Sequence, residues 1–249
     1  MTACVKAIVR HPIKSIGREE LNKVELKAGA WMPYDRKWAI AHERSKLEGQ
    51  WGKKANFLRG VTDPALMAVS SSFNETTRLL TLTHPKHGSI EIRPNSASGS
   101  EQLSDWLRGL WSGDLPKPTG IYASDDAHMT DVPDPWISIN SISSLKSLSQ
   151  RSGRDLSKHR FRGNIWVEGL SPWEEFNWVG KTVTIGPVSL SVRETITRCK
   201  ATMANPETGQ RDVDTLEILD ELGHQDFGVY AEVIEGGTIA LGDVVIAPA

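Results

Sequence analysis

The sequence predicts a mainly β protein with a few short helices, of the α+β class. Short runs of alternating apolar and polar residues, separated by turn residues, recur along the chain. No series of βαβ repeats is visible, and helical spacing is confined to three segments. The even spacing of strands and turns favours a barrel, because a closed sheet hides its own edges.

Taken in order, Val5, Ala7 and Val9 alternate with Lys6, Ile8 and Arg10, and Val24 and Leu26 alternate with Lys23, Glu25 and Lys27; both read as strands. Residues 78–93 read as a hairpin with the five-residue loop His84-Pro85-Lys86-His87-Gly88. Ser98 and Glu101 fit a capping box, and Leu103, Trp106, Leu107 and Leu110 follow at amphipathic helical spacing. The polar, acidic stretch 124–135, closed by Pro133 and Pro135, reads as a domain boundary. Beyond it, Asn140 and Ser141 cap a short helix carrying Ile142, Leu145 and Leu148. Strands are expected at Arg160–Glu168, Thr182–Ile185 and Val188–Arg193. Asp212 is expected to cap a helix through Leu216, Leu219 and Leu222 that stops at Gly223. Gly228–Ile234, Thr238–Leu241 and Val244–Ile246 read as a closing β-meander.

Composition removes several classes of function. The 249 residues carry 29 Lys and Arg against 31 Asp and Glu, with no long basic block, so nothing marks a nucleic-acid partner. No run approaches the ~18 apolar residues of a membrane span, and residues 4–10 are too short and too charged for a signal peptide core. The default expectation is a cytoplasmic protein. Two cysteines, Cys4 and Cys199, cannot build a disulfide framework, a four-thiolate zinc site or an iron–sulfur cluster with four thiolate ligands.

The usual nucleotide, zincin and serine-hydrolase motifs are missing. His84 and His87 lack a third ligand nearby and read as an exposed hairpin tip rather than a zinc site. Cys199 stands between Arg198 and Lys200, where positive charge favours a thiolate, both a nucleophile and a soft metal ligand; a small buried apolar thiol is the competing reading. Cys4 has no flanking cations and reads as packing. Two cationic clusters stand near predicted strand ends, His11-Pro12-Ile13-Lys14-Ser15 with Asp35-Arg36, and Arg160-Phe161-Arg162-Gly163-Asn164. Lys, Ser, Arg and Asn together hold a phosphate or a polar heterocycle, although surface ion pairs use the same residues. Trp166, Trp173 and Trp178 either roof such a ligand or fill the core. A cysteine nucleophile with His224 as base is a further reading.

These segments together resemble the MOSC proteins, named for the C-terminal domain of molybdenum cofactor sulfurase and including the amidoxime-reducing components. The resemblance rests on Lys14-Ser15, Asp35-Arg36-x-Trp38, Arg162-x-Asn164, Arg198-Cys199-x-x-Thr202, Asn205-Pro206-x-Thr208-Gly209, Phe227-Gly228-Val229-Tyr230 and the closing Gly237-x-Ile239-x-x-Gly242-Asp243. It implies a MOSC N-terminal β-barrel domain over residues 1–120 and a MOSC β-barrel domain over 125–249. It further implies that Cys199 ligates molybdenum and acts in catalysis, and that Lys14, Ser15, Arg36, Arg162, Asn164, Thr197 and Arg198 anchor the molybdopterin phosphate and pterin. One cysteine suffices, since a dithiolene cofactor brings its own sulfur ligands. The implied activity is reduction of small N-hydroxylated or N-oxide-type substrates. Electrons would come from a separate ferredoxin- or cytochrome-type donor, because two cysteines are too few for the ferredoxin domain of some relatives. A non-catalytic cofactor carrier or sulfur-transfer module is the alternative. His11 replaces a common Tyr, and Gly163 the Pro of the amidoxime reducers.

Overall fold

The structure, a computed structural model, describes residues 2–47 and 50–248. Met1, Glu48, Gly49 and Ala249, and with them the outer limits of the two expected domains, lie outside the described residues. The first half contains β1 (Cys4–Arg10), β2 (Glu19–Leu21), β3 (Lys23–Leu26), β4 (Trp38–His42), β5 (Ser70–Asn74), β6 (Leu79–His84), β7 (Gly88–Ile92), α1 (Ala97–Arg108) and β8 (Pro118–Ala123). The second contains β9 (Trp136–Ser141), α2 (Ile142–Ser152), β10 (Ile165–Glu168), β11 (Thr182–Ile185), β12 (Val188–Thr197), α3 (Thr215–Asp220), β13 (Asp226–Glu235), β14 (Gly237–Ala240) and β15 (Val245–Ile246). The mainly β, α+β class is what the alternation predicts. No helix among the described residues is long and apolar enough to cross a membrane.

Eight strands form one sheet in the order β15-β11-β12-β13-β9-β10-β1-β2; β14 pairs with β3, β4 with β8, and β5-β6-β7 form a third small sheet. The first strand in sequence therefore pairs antiparallel with β10, far along the chain. β9 and β10 are parallel, and α2 makes the crossover that parallel neighbours require, giving one βαβ unit. A bulge between Val5 and Ala7 switches the face of β1. Val5 and Ile8 enter the main core with Ile137, Ile139, Val167, Leu190 and Val229, whereas Ala7 and Val9 join α2 and α3 in a second core with Leu145, Leu148, Trp166, Leu219 and Phe227. Buried on both faces, β1 does not show the single apolar face expected from its alternation. A third core joins Ile13, Trp38, Ile40, Leu82, Leu103 and Leu107, so the amphipathic face of α1 is used as predicted.

Several local expectations are corrected. The large sheet is not closed by continuous ladders among the described residues; its seam is a single bridge, Cys4 with Val244, supported by Val5 N donating to Asp243 O at 2.9 Å. The last strands do not form a meander, because β13 lies between β12 and β9, β14 pairs with β3, and β15 pairs with β11. Ser96, not Ser98, caps α1, accepting from Gly99 N at 3.0 Å. Asp214, not Asp212, caps α3, because the Asp212 carboxylate is taken by Arg160 at 2.7 and 2.9 Å. The strand expected from Arg160 starts only at Ile165; residues 158–161 form a 3-10 turn and Arg162 is left-handed. His84 pairs with Gly88, shortening the hairpin loop, and it is buried, while His87 packs on Trp106 at 5.3 Å between ring centroids.

Candidate functional site

All eight residues singled out above face one cavity of about 440 Å³: Lys14, Ser15, Arg36, Arg162, Asn164, Thr197, Arg198 and Cys199. They come from four separate stretches. β1 ends at Arg10 and the chain turns, bringing Lys14 and Ser15 to one wall; the loop before β4 brings Asp35 and Arg36. The turn before β10 supplies Arg162 and Asn164, and the end of β12 supplies Glu194 through Cys199. In a regular strand successive side chains alternate faces, but β12 is irregular against β13 between Val192 and Glu194 and again between Thr195 and Thr197. These bulges let consecutive residues reach the same cavity, a use typical of bulges beside functional sites.

Three of the cavity residues, Ser15, Arg36 and Arg162, have φ of +63°, +48° and +48°. Such left-handed backbone costs a side-chain-bearing residue about 1–3 kcal/mol, and it persists where the surroundings over-determine it. Here they do. Arg162 donates to Gly17 O and Ile13 O at 3.1 Å each, and Arg36 donates to Arg162 O at 2.7 Å and to Asp35. Asp35 in turn accepts from His11 N at 2.8 Å. Arg198 donates to Phe161 O and, through Nε, to Phe227 O, both at 2.8 Å, and to Asn140 Oδ1 at 3.2 Å. Its guanidinium lies over the stacked rings of Phe161 and Phe227.

Asn140 is fully buried and explains two glycines. A Cβ on Gly163 would stand 2.0 Å from Asn140 Nδ2, and one on Gly228, where φ is +73°, 2.4 Å from Asn140 Oδ1. The Arg-x-Asn segment therefore carries Gly163 because the buried amide beneath Arg198 occupies the space of a side chain. Asn164 is bound within the protein: Oδ1 accepts from Ser138 Oγ at 3.0 Å, and Nδ2 donates to Val9 O at 3.2 Å. It shapes the wall and has fewer free donors than the arginines. Thr195 and Thr197 donate to the two oxygens of Asp226 at 2.8 and 2.6 Å.

The cavity is electrostatically unbalanced. Lys14, Arg36, Lys54, Arg59, Arg162 and Arg198 line it, with Arg160 already paired to Asp212, against the carboxylates of Asp35, Asp131 and Glu194. Arg162 and Arg198 are anchored largely on neutral carbonyl oxygens, which fix their direction without cancelling their charge. Burial first, then the neighbouring Arg36, pulls Arg162 down to about 9, and burial pulls Arg198 down to about 10. Burial likewise lowers the Lys14 ammonium, opposed by Asp131. His11, fully buried beneath Arg36 and Arg162, is held neutral by burial and by those two cations. An anion entering the cavity would recover part of this cost.

Cys199 is exposed, so the buried apolar thiol is not what the fold builds. Its carbonyl accepts from Thr202 N and Oγ1 at 3.1 and 3.0 Å, which turns the chain sharply and leaves the thiol on the cavity wall. Cys4 is only part-buried and its Sγ lies 3.7 Å from Glu168 Oε1, so it is not a core residue. His224 is not part of the wall; its ring packs edge-on between Trp173 and Phe176 at 5.2 and 5.3 Å. Trp166 and Trp178 are core, and the tryptophan that does line the cavity is Trp136, 5.8 Å from Tyr230 between centroids. Trp136, Lys54 and Arg59 carried no sequence signal; Tyr230 stood in the Phe227-Gly228-Val229-Tyr230 motif without a site role, and Asp131 lay in the acidic stretch read as a boundary. No group of three or more His, Cys, Asp and Glu that would hold a metal by protein ligands alone occurs among the described residues.

Fold and cavity together define a β protein with a cation-lined pocket and a single thiol on its wall. Two family models match the chain, the MOSC N-terminal beta barrel domain over residues 2–114 and the MOSC domain over residues 126–246, and the chain belongs to the MOSC family. Among curated relatives, molybdenum cofactor sulfurase of Drosophila persimilis is 34% identical over 112 residues, 42% of this chain and 14% of that protein. The same-named protein of Anopheles gambiae is 38% identical over 73 residues, 28% of this chain and 9% of that protein. The matched segment is thus a small part of those relatives' length. Among solved structures, the YUAD protein from Bacillus subtilis aligns over 98% of this chain and 94% of its own, with TM-score 0.46 and 12% identity.

Proposed function

We propose that this chain binds the molybdenum cofactor in the cavity and acts as an oxidoreductase on small N-hydroxylated or N-oxide-type substrates. The observation that carries the reading is the convergence of a surplus of cations, oriented by neutral carbonyls, with an exposed thiol. The donor set suits the group: Arg36, Arg162, Arg198 and Lys14 would hold the phosphate and the polar pterin edge, Ser15 and Thr197 would complete hydrogen bonds, and Cys199 would ligate the metal. Bound there, the cofactor supplies two-electron reduction. The chain's own residues bind and orient it, and the Trp136 and Tyr230 rings border the space left for substrate. Within these residues Cys4 and Cys199 cannot hold a four-thiolate cluster, so electrons would reach the cavity from a ferredoxin- or cytochrome-type donor outside them.

The names of the relatives favour a second reading, a cofactor carrier or sulfur-transfer module. Molybdenum content of wild type beside Cys199→Ser, after expression with cofactor supply, tests the site: wild type should carry about one molybdenum per chain and the variant far less. Absence of molybdenum from wild type refutes both readings. Benzamidoxime reduction with an artificial electron donor then separates them, because a loaded carrier stays silent.

A further inference from the structure

Lys14 is only 4% exposed, and a buried ammonium needs compensation. Its Nζ donates to Met129 O at 2.9 Å and to the Asp131 carboxylate. The two partners differ in exposure. Met129 is fully buried, and its N–H donates to Arg36 O at 2.6 Å, so its carbonyl is fixed. The side chain of Asp131 is 60% exposed, so water stands beside its carboxylate and can take the place of Lys14 as its partner. The other acidic residues of the cavity behave differently: Asp35 is locked by His11 N and Arg36, and Glu194 forms no ion pair among the described residues.

We propose that Asp131 is a built-in counter-anion of the cradle: its carboxylate satisfies Lys14 until the anionic group of a ligand displaces it, so Asp131 sets how tightly the cavity takes an anion. This rests on the reading that an anionic cofactor enters the cavity. The charge of Asp131 also reaches Arg36, Arg162 and Arg198, so its departure would free more than one cation. A carboxylate offers two oxygens where a phosphate offers three with greater charge, so the exchange favours the ligand while the internal anion keeps the cradle from trapping smaller ions. Keeping the counter-ion on the chain also lowers apparent affinity by the fraction of time that Lys14 is already paired.

The probe is inorganic phosphate, titrated calorimetrically at fixed ionic strength into the full chain. Asp131→Asn should bind about tenfold more tightly than wild type, the gain expected if the pair is closed about nine-tenths of the time. Glu194→Gln, which removes an equal charge from the same wall, should gain less than about threefold. Asp131→Glu should restore the competition. Lys14→Met should weaken binding, and adding Asp131→Asn to it should gain no more than Glu194→Gln does. If Asp131→Asn unfolds under titration conditions, the Lys14→Met pair still decides, since a remaining tenfold gain there would remove Lys14 from the exchange and overturn the proposal. Equal gains from Asp131→Asn and Glu194→Gln, weaker binding by Asp131→Asn, or no phosphate binding by either chain would also overturn it. Failure here with molybdenum still present leaves the cofactor reading standing; the predicted gains in a protein that takes up no molybdenum refute that reading alone.

Discussion

Glu175 should make the folded chain lose stability as pH rises, the reverse of an ordinary paired carboxylate. It lies in the 3-10 turn Glu174–Trp178, is fully buried, and has Ser144 Oγ at 2.9 and 3.0 Å from its two oxygens. That hydroxyl also accepts from Trp173 N at 2.8 Å, so it has one hydrogen to share between two carboxylate oxygens. No cation pairs with Glu175 among the described residues. Burial therefore dominates and raises the carboxyl to about 7, although Ser144 and backbone amides resist. The unfolded chain releases this proton near pH ~4.5, so between ~4.5 and ~7 the folded state holds more protons and stability falls with rising pH. At ~1.4 kcal/mol per pH unit the loss is about 3 kcal/mol, complete slightly above pH 7. Glu175→Gln keeps the volume and removes the titration. Urea unfolding of both proteins at pH 5 and pH 8 should show the variant gaining about 2.5 kcal/mol on wild type between the two conditions, the rest of the loss lying below pH 5. A difference that is the same at both pH values would refute the burial argument.

Two further outcomes follow from the same geometry. Gly163→Ala drives a methyl into Asn140 and loosens the support of Arg198, so it should cost about 1–3 kcal/mol in chemical unfolding and reduce molybdenum uptake together. Asp35 is buried, which alone would raise its carboxyl, but Arg36 and His11 hold it far below the usual aspartate range; its contribution is present above about pH 4 and is lost as pH falls through the acid range. Acid unfolding of Asp35→Asn should accordingly be shallower than that of wild type, even though the variant is less stable at pH 7.

How far the site was legible depended on distance along the chain. Each cationic cluster could be recognised as ligand-binding chemistry, yet each had an ordinary surface alternative, because charge and hydrogen-bonding type are local properties. That Lys14, Arg36, Arg162 and Cys199 share one cavity depends on β1 pairing with β10 and on the bulges of β12. The errors have the same origin. Asp212 looked like a helix cap until Arg160, 52 residues earlier, claimed it. The strand drawn from Arg160 ignored the turn in which Arg162 reaches back to Gly17 and Ile13.

The two cysteines make the division plain. Their number alone excludes a cluster held by four of these residues' own thiolates, since thiolate count is a property of composition. The order of the motifs suffices for the family, and alternation with turns suffices for a mainly β chain. Tertiary structure decided the rest: that Cys199 is an exposed wall residue while Cys4 touches Glu168, that Trp136 rather than Trp166 borders the cavity, and that buried Lys14 is paired with the exposed Asp131. Burial and approach between distant residues are set by how sheets pair and pack, and these are the quantities that tune charge, exposure and ligand fit.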